Sequence, residues 1–180
     1  MATPTLAAKL GTTTHLSPLL RKARGLGLGP RELEMLAAQR GCRHYSDGTE
    51  PKQPLAAEID FSNEELAIAL LSTALYYNPH SIRCGAAMLG AVGNSPRRLA
   101  HLAVLERGVV PVRYVAEAGR RFEPKNAFWQ ELLDALPPAP APRSGVMPHP
   151  TRFVAMTGFT RQGPGLWIEW QRPSRPSGKS

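Results

Sequence analysis

The sequence predicts a mainly α-helical fold. We expect a compact helical bundle or a short helical-hairpin array of about seven helices, with a C-terminal β-hairpin after a Pro-rich linker. Three observations favour this class. Proline stands at or near the first turn of most apolar segments in residues 62–136, where its missing N–H would have had no partner. Leucine and alanine outnumber isoleucine and phenylalanine. Apolar residues also recur at helical spacing.

Five helices are predicted in succession over residues 62–136. The first opens with a capping box formed by Ser62 and Glu65, because each side chain can bond the backbone N–H of the other. A proline inside a helix would break it, so each proline in this region indicates a boundary. The other four helices are predicted to begin at or near Pro79, Pro96, Pro111 and Pro124.

The second of these helices is predicted to lie at the centre of the fold. Ile82, Ala86 and Leu89 form one apolar stripe along it. A second stripe consists of Cys84, Ala87, Met88 and Ala91. A helix that is apolar on two sides is normally enclosed by other helices. The starting prolines lie 17, 15 and 13 residues apart and no residue pattern recurs, so bundle and array both stay open.

The domain organisation is predicted from composition and turn residues. Two further helices are expected at residues 16–24 and 30–41, followed by a long loop at 42–61. A loop of that length is often functional. The predicted divisions are a flexible N-terminus at 1–15, a helical domain at 16–136, a Pro-rich linker at 137–150, a β-hairpin at 151–172 and a disordered tail at 173–180.

The net charge of +8 is concentrated at the two ends of the 180-residue chain. Residues 1–43 and 137–180 each carry +5, residues 62–136 carry +1, and residues 44–61 carry −3. Basic ends attract nucleic acid, an acidic protein or an anionic surface. Composition offers a second explanation, since 17 of the 22 basic residues are arginine and such a bias also arises from a GC-rich coding sequence.

The sequence predicts a cytoplasmic protein with no membrane partner. No apolar stretch reaches the length of about 18 residues that a membrane span requires. The N-terminus lacks the continuous apolar segment of a secretory signal, although its early basic residues also suit an organelle transit peptide. The two cysteines allow at most one disulfide, so a reducing compartment is expected.

Three segments resemble the LuxR-type helix-turn-helix domain. Residues 29–41, GPRELEMLAAQRG, look like the opening helix of that family. Residues 62–72, SNEELAIALLS, and 78–90, NPHSIRCGAAMLG, are similar to its middle and recognition helices. The resemblance implies that Ser81, Arg83 and their neighbours face the major groove of DNA.

Two cysteine–histidine pairs form a candidate zinc site. Cys42 and His44 lie two residues apart, and His80 and Cys84 share one helical face at i and i+4. Together they supply a Cys₂His₂ set, which suits zinc. Cys84 also belongs to an apolar stripe, where cysteine acts as a small hydrophobic residue. The sequence favours this second explanation, with no bound metal or cofactor.

Catalytic motifs are missing from the sequence. It contains no G-x-S-x-G, no H-E-x-x-H and no glycine-rich phosphate loop between a strand and a helix, so we predict that the protein is not an enzyme. Two pairs of arginines are nevertheless candidate contacts for nucleic-acid phosphates. These pairs are Arg97 with Arg98 and Arg120 with Arg121.

The alternating residues on either side of a Gly-Pro-Gly turn predict the C-terminal hairpin. An isolated hairpin is marginal in water, so we expect it to pack on its own helices, on a second copy or on another molecule. Arginines alternate with its aromatic residues, as in many protein interfaces and single-strand binding surfaces. The candidate partner-binding residues are Arg152, Phe159, Arg161, Trp167 and Trp170.

Three functions are therefore predicted. The first is a non-enzymatic binding or scaffolding protein that acts through helical surfaces and the Arg/Trp hairpin. Its partner would be another protein or a second copy of the chain. The alternatives are a nucleic-acid-binding protein, acting through the basic ends, and a small zinc-binding protein.

Overall fold

The computed structural model describes residues 2–42, 59–157, 167–171 and 173. Eight α-helices lie within these ranges, so the predicted mainly helical class is confirmed. None of them combines the length and the apolar character that crossing a membrane requires. In chain order they are α1 (Leu6–Leu10), α2 (Pro18–Gly25), α3 (Pro30–Gln39), α4 (Asn63–Leu70), α5 (Pro79–Leu89), α6 (Pro96–Leu105), α7 (Val109–Phe122) and α8 (Ala127–Ala135).

Helix starts follow the capping residues of the sequence. The predicted capping box is present at α4: Ser62 N donates to Glu65 Oε2 at 2.8 Å, and Glu65 N donates to Ser62 Oγ at 3.1 Å. Proline occupies the first turn of α2, α3, α5 and α6. The local signals for these starts therefore agree with the tertiary structure.

Two helices begin away from their predicted prolines. α7 begins at Val109, two residues before Pro111. α8 begins at Ala127 and not at Pro124, because Asn126 is its cap and accepts from Phe128 N at 3.2 Å. Asn126 N also donates to Glu123 O at 3.0 Å, which closes a tight turn around Pro124.

The N-terminus, for which the sequence predicts flexibility, contains α1. Leu6 and Ala7 are buried, and their N–H groups donate to Leu75 O at 2.8 Å and Thr73 O at 2.7 Å. Tyr77 N donates back to Pro4 O at 2.8 Å. These backbone bonds to the loop between α4 and α5 hold the segment on the core, an effect that no local pattern indicates.

The core is centred on α4 and α5. These two helices pack on each other, and α4 also contacts α2, α3 and α6. α8 packs against both α6 and α7. As its two apolar stripes predict, α5 is buried along most of its length. Small residues make this possible: a Cβ at Gly85 would lie 2.7 Å from Leu71 Cγ.

The Pro-rich segment runs back over the helices. Tyr114 OH in α7 donates to Pro148 O at 2.9 Å, and Met147 is buried. A short 3₁₀ turn at Pro150–Phe153 follows. β1 (Val154–Thr157) and β2 (Trp167–Trp170) then pair antiparallel, with Val154 opposite Trp170. Residues 158–166, which include the turn, lie outside the described ranges, so the hairpin as a whole stays a prediction.

Candidate partner-binding surface

The structure brings the two cysteines of the candidate zinc site together. Cys42 follows α3 and Cys84 lies in α5; both are buried, and neither is in a disulfide. A hydrogen bond with Cys42, reinforced by burial, raises the pKa of the Cys84 thiol, which disfavours the thiolate that zinc requires. His44 lies outside the described residues. Within the described part of the chain, no three His, Cys, Asp or Glu side chains, His80 included, group to hold a metal.

The two arginine pairs are on different helices. Arg97 and Arg98 are exposed in the first turn of α6. Arg120 and Arg121 are exposed in the last turn of α7, where Arg120 donates to Gln130 Oε1 at 3.3 Å. Exposure is what phosphate contacts require, but nucleic-acid binding by these residues stays a prediction.

The candidate residues of the hairpin have different surroundings. Arg152 is exposed. Trp170 is buried: its indole lies 4.7 Å from the ring of Trp129 and 5.7 Å from that of Phe153, measured between centroids, and its Nε1 donates to Ala86 O at 3.2 Å. The Trp170 side chain therefore belongs to the core and not to a surface. Phe159, Arg161 and the side chain of Trp167 lie outside what the structure describes.

Ser81 does not have the position that the helix-turn-helix resemblance implies. It is buried in α5 and donates to Glu34 Oε1 of α3. Arg83 is partly buried, and its Nε donates to Arg152 O at 3.3 Å. The expectation that Ser81 faces a DNA groove is therefore wrong, because packing of α3 against α5 encloses its side chain.

α2 is fixed to the end of α6 by a buried carboxylate. Glu106, directly after α6, accepts hydrogen bonds from Ser17 Oγ and, at 2.9 Å, from Leu19 N. These donors form the N-terminal turn of α2, which satisfies N–H groups that a helix leaves unpaired and places a negative charge at the positive end of its dipole.

The other end of α2 lies near the start of α6. Lys22 Nζ donates to Glu65 Oε1 at 2.8 Å. Burial raises the pKa of the Glu65 carboxyl, but its hydrogen bonds and the charges of Lys22 and Arg98 outweigh burial, so the pKa is lowered overall. Ser17 therefore meets the C-terminus of α6, whereas Lys22 reaches the start of α4, on which both α2 and α6 pack.

Aliphatic side chains are exposed beside the bond from Ser17 to Glu106. Leu16, directly before Ser17, is 83% exposed. Leu105, directly before Glu106, is 58% exposed, and Val104 is 49% exposed. We call these three residues the aliphatic cluster. Half of the six large hydrophobic side chains that are exposed in the described ranges belong to it.

Exposed arginines lie on or beside the same two helices as the aliphatic cluster. Arg107 adjoins its α6 side, and five exposed arginines in total belong to α2, to α6 or to the two residues after α6. We call the outer faces of these helices, with the aliphatic cluster, the α2–α6 surface. Its five exposed arginines are Arg21, Arg24, Arg97, Arg98 and Arg107.

Sequence patterns missed this surface except for Arg97 and Arg98. Helical spacing alone places Val104 beside the buried stripe of α6, and nothing local indicates that Leu16 is exposed. One signal was available: Glu106 is the only acid between Arg97 and Arg113 and falls on the apolar side of α6. A carboxylate in that position requires a buried donor, which here is the start of α2.

A scan against protein-family models, a search of curated proteins and a search of solved structures each find no match for this chain. Its function is therefore argued from its own side chains.

Proposed function

We propose that the protein is a non-enzymatic binding or scaffolding protein and that the α2–α6 surface contacts its partner. The observation that carries this proposal is the aliphatic cluster. Leu16 is exposed beside Ser17, and Val104 and Leu105 are exposed beside Glu106, which Ser17 contacts, although most of the leucines in the described ranges are buried. Adjacent exposed aliphatic side chains are a general mark of protein–protein contact surfaces.

The position of the cluster also supports binding. Glu106 holds Leu16 and Leu105 on neighbouring elements through its bonds to Ser17 and Leu19. A surface whose backbone segments are held in place in advance loses less conformational entropy when a partner binds. The location that we propose for this activity is the cytoplasm.

The C-terminal hairpin has a smaller part in the proposal. The contacts of Trp170 with Trp129 and Phe153 support packing of the hairpin on its own helices. Arg152 is exposed and remains a candidate contact, together with Phe159, Arg161 and Trp167 of the predicted hairpin. Trp170 is not proposed as a contact residue.

Self-association through the α2–α6 surface is disfavoured by charge. In a two-fold dimer the same patch occurs on both subunits, so exposed arginines would face arginines. Like charges in an interface oppose binding. A different protein is therefore the better partner.

Nucleic-acid binding is the second candidate function, and the exposure of both arginine pairs supports it. It predicts affinity for a generic duplex or single strand that falls steeply with salt. Replacement of Arg97 and Arg98 by glutamine would weaken this binding. If the protein binds neither the duplex nor the single strand at low salt, this candidate function is contradicted.

Zinc binding is the third candidate, and only the contact between Cys42 and Cys84 supports it. Metal analysis of the purified protein tests it directly. About one zinc per chain, lost when Cys84 is replaced by serine, would support this function. Purified protein without zinc would contradict it.

A quantitative pull-down from the native host tests the leading proposal. The baits are the wild type, the double variant Leu16→Ser/Leu105→Ser, and Val92→Ser as a matched control. Val92 is 62% exposed but follows α5, close to the opposite end of α6. We expect at least one captured protein to fall about tenfold or more with the double variant and to stay unchanged with Val92→Ser.

The captured protein is then purified and titrated against the same three baits, so that capture alone does not decide the result. Direct binding that depends on the aliphatic cluster supports the proposal. Identical binding to the wild type and the double variant would contradict it. Both exposed substitutions should leave folding intact, which urea unfolding of each bait verifies.

A further inference from the structure

We infer that the partner of the α2–α6 surface is an acidic protein segment, in which carboxylates surround aliphatic side chains. This inference rests on the proposed function and names the chemistry of the partner. It depends on one juxtaposition: an aliphatic cluster on or beside the same two helices as five exposed arginines, where the buried or half-buried glutamates are engaged inside the protein.

Three buried or half-buried glutamates adjoin this surface, and each is held by internal donors. Two exposed acids of α8, Glu131 and Asp134, line a surface pocket with Arg97. Glu64 is buried and accepts from Ser95 N at 3.3 Å. Glu65 accepts from Lys22 Nζ and from the N–H of its helix cap, and Glu106 accepts from the start of α2.

The exposed arginines of this surface have no described carboxylate partner within salt-bridge distance. Among the described residues, Arg21, Arg24 and Arg107 form no salt bridge within the protein, and neither do Arg97 and Arg98. Glu131 and Asp134 lie beside Arg97 only, and Glu64, Glu65 and Glu106 are committed inside the protein, so the positive charge of this surface is centred on Arg21, Arg24 and Arg107. A patch of one sign attracts a partner of the opposite sign and accelerates its association.

The backbone of Arg107 is in a strained conformation. Its φ of 54° lies in the left-handed region, at the end of α6, where glycine is the usual residue. The next residue completes the helix end, as Gly108 N donates to Ala103 O at 2.8 Å. A side chain kept in this strained conformation indicates a use for that side chain. Arg107 is beside Leu105, where it would meet the acidic rim of a partner.

A protein segment fits this surface better than DNA, RNA or a membrane. Phosphate backbones make no use of the exposed aliphatic side chains, and the surface lacks the Phe, Tyr and Trp side chains that serve as stacking platforms in single-strand binding proteins. The three aliphatic side chains carry fewer carbon atoms than one myristoyl chain, whose membrane binding is itself marginal.

The experiment uses the full-length protein and a fluorescein-labelled peptide of about 20 residues made of glutamate and leucine, with leucine at i, i+3, i+4 and i+7. Its counterpart has lysine at every glutamate position. Single-stranded DNA, duplex DNA and phosphatidylserine vesicles are the other probes. Affinity is measured by fluorescence anisotropy, or by co-sedimentation for vesicles, at two salt concentrations.

We expect the Glu/Leu peptide to bind more tightly than its lysine counterpart, and we expect its affinity to fall as the salt concentration rises. The double variant Arg21→Gln/Arg107→Gln should lower the affinity for this peptide by about five- to twentyfold. The matched control is Arg120→Gln/Arg121→Gln, which removes the same charge from the end of α7 and should change the affinity less than twofold.

Three results would overturn the inference. The first is equal binding of the two peptides, and the second is no binding of the Glu/Leu peptide. The third is tighter binding of DNA or vesicles than of the Glu/Leu peptide, provided that Arg21→Gln/Arg107→Gln weakens that binding and Arg120→Gln/Arg121→Gln does not. The proposed function fails separately. It fails if Leu16→Ser/Leu105→Ser changes no protein or peptide affinity, and it survives if both peptides bind equally but lose affinity with that variant.

Discussion

α5 and α6 have similar lengths and similar starts but different surroundings. α5 has 11 residues, α6 has 10, and each opens with a proline after a polar cap, Asn78 or Ser95. Eight residues of α5 are buried, whereas only three residues of α6 are. α5 is enclosed by the rest of the protein. α6 leaves an outer face of arginines and aliphatic residues available to another molecule.

The difference shows which properties are local. Proline and a cap are enough to start both helices. Small residues let α5 be enclosed: a Cβ at Gly90, directly after it, would lie 2.7 Å from Trp170 Nε1. Substitutions in the enclosed region should therefore reduce folding stability, and substitutions on the α2–α6 surface should reduce binding.

The largest effect is expected from Trp170→Ala, in the enclosed region. It removes a buried indole that packs between aromatic rings and leaves a cavity, so the free energy of unfolding should fall by about 3–5 kcal/mol. Trp170→Phe keeps most of the packing and should lose about 1–2 kcal/mol. Urea unfolding measures both. A loss below about 1 kcal/mol for Trp170→Ala would show that this side chain is not in the core.

The next largest loss of folding stability is expected from Gly119→Ala. A Cβ at Gly119 in α7 would overlap the indole of Trp129, so we expect a loss of about 2–3 kcal/mol through overpacking. Gly25→Ala is the matched control, because nothing lies within 4 Å of a Cβ there, and it should be neutral or raise stability by up to about 1 kcal/mol. Similar urea midpoints for the two variants would contradict this packing.

Glu106→Ala should have an intermediate effect at the boundary between the two regions. It leaves Ser17 Oγ and Leu19 N without their acceptor, so stability should fall by about 2 kcal/mol. Glu106→Gln keeps one acceptor oxygen and should lose about half as much. Because α2 would also be released from α6, Glu106→Ala should weaken partner binding. Unchanged stability would rule out this role for Glu106.

Arg107→Gly separates the two regions most sharply. Glycine accepts the left-handed conformation at 54° without strain, so the variant should gain up to about 1 kcal/mol of stability. It should nevertheless bind the Glu/Leu peptide more weakly than the wild type. A variant that is destabilised, or that binds as well as the wild type, would refute the account of Arg107.

The smallest effect is expected for the ion pair of Lys22 with Glu65, which is partly exposed. Because the pKa of Glu65 is lowered in the folded protein, its contribution is present above the ordinary value of 4.5 and is lost as the pH falls through the lowered pKa. Glu65→Gln should therefore flatten the stability profile in that acid range. Parallel profiles for the two proteins would contradict this assignment.

Local signals predicted most helices but not the site. Ser62, Pro79 and Ser95 mark helix starts that the structure contains, because capping depends on neighbouring residues alone. α1 was not predicted, because it is only five residues long and is held by backbone bonds from Leu6 and Ala7 to a distant loop.

The exposure of the site depends on contacts across the chain. Leu16 and Leu105 lie 89 residues apart in the sequence, and the bonds of Glu106 bring their neighbourhoods together. The helical spacing of Leu16 and Leu105 would also suit buried residues, so the sequence pattern does not distinguish these exposed leucines from buried ones. The burial of Trp170 could not be predicted from its local sequence either, because its partners Trp129 and Ala86 belong to helices that are distant in the sequence.

An NMR titration of the ¹⁵N-labelled protein with the Glu/Leu peptide tests the central claim most directly, because every backbone amide reports its own contact. Chemical-shift changes should be confined to residues 16–24 of α2 and its start and to residues 97–107 of α6 and its end. Changes centred on residues 120–121 or on the C-terminal segment after residue 150, or no changes at all, would contradict the assignment of the α2–α6 surface as the place where a partner binds.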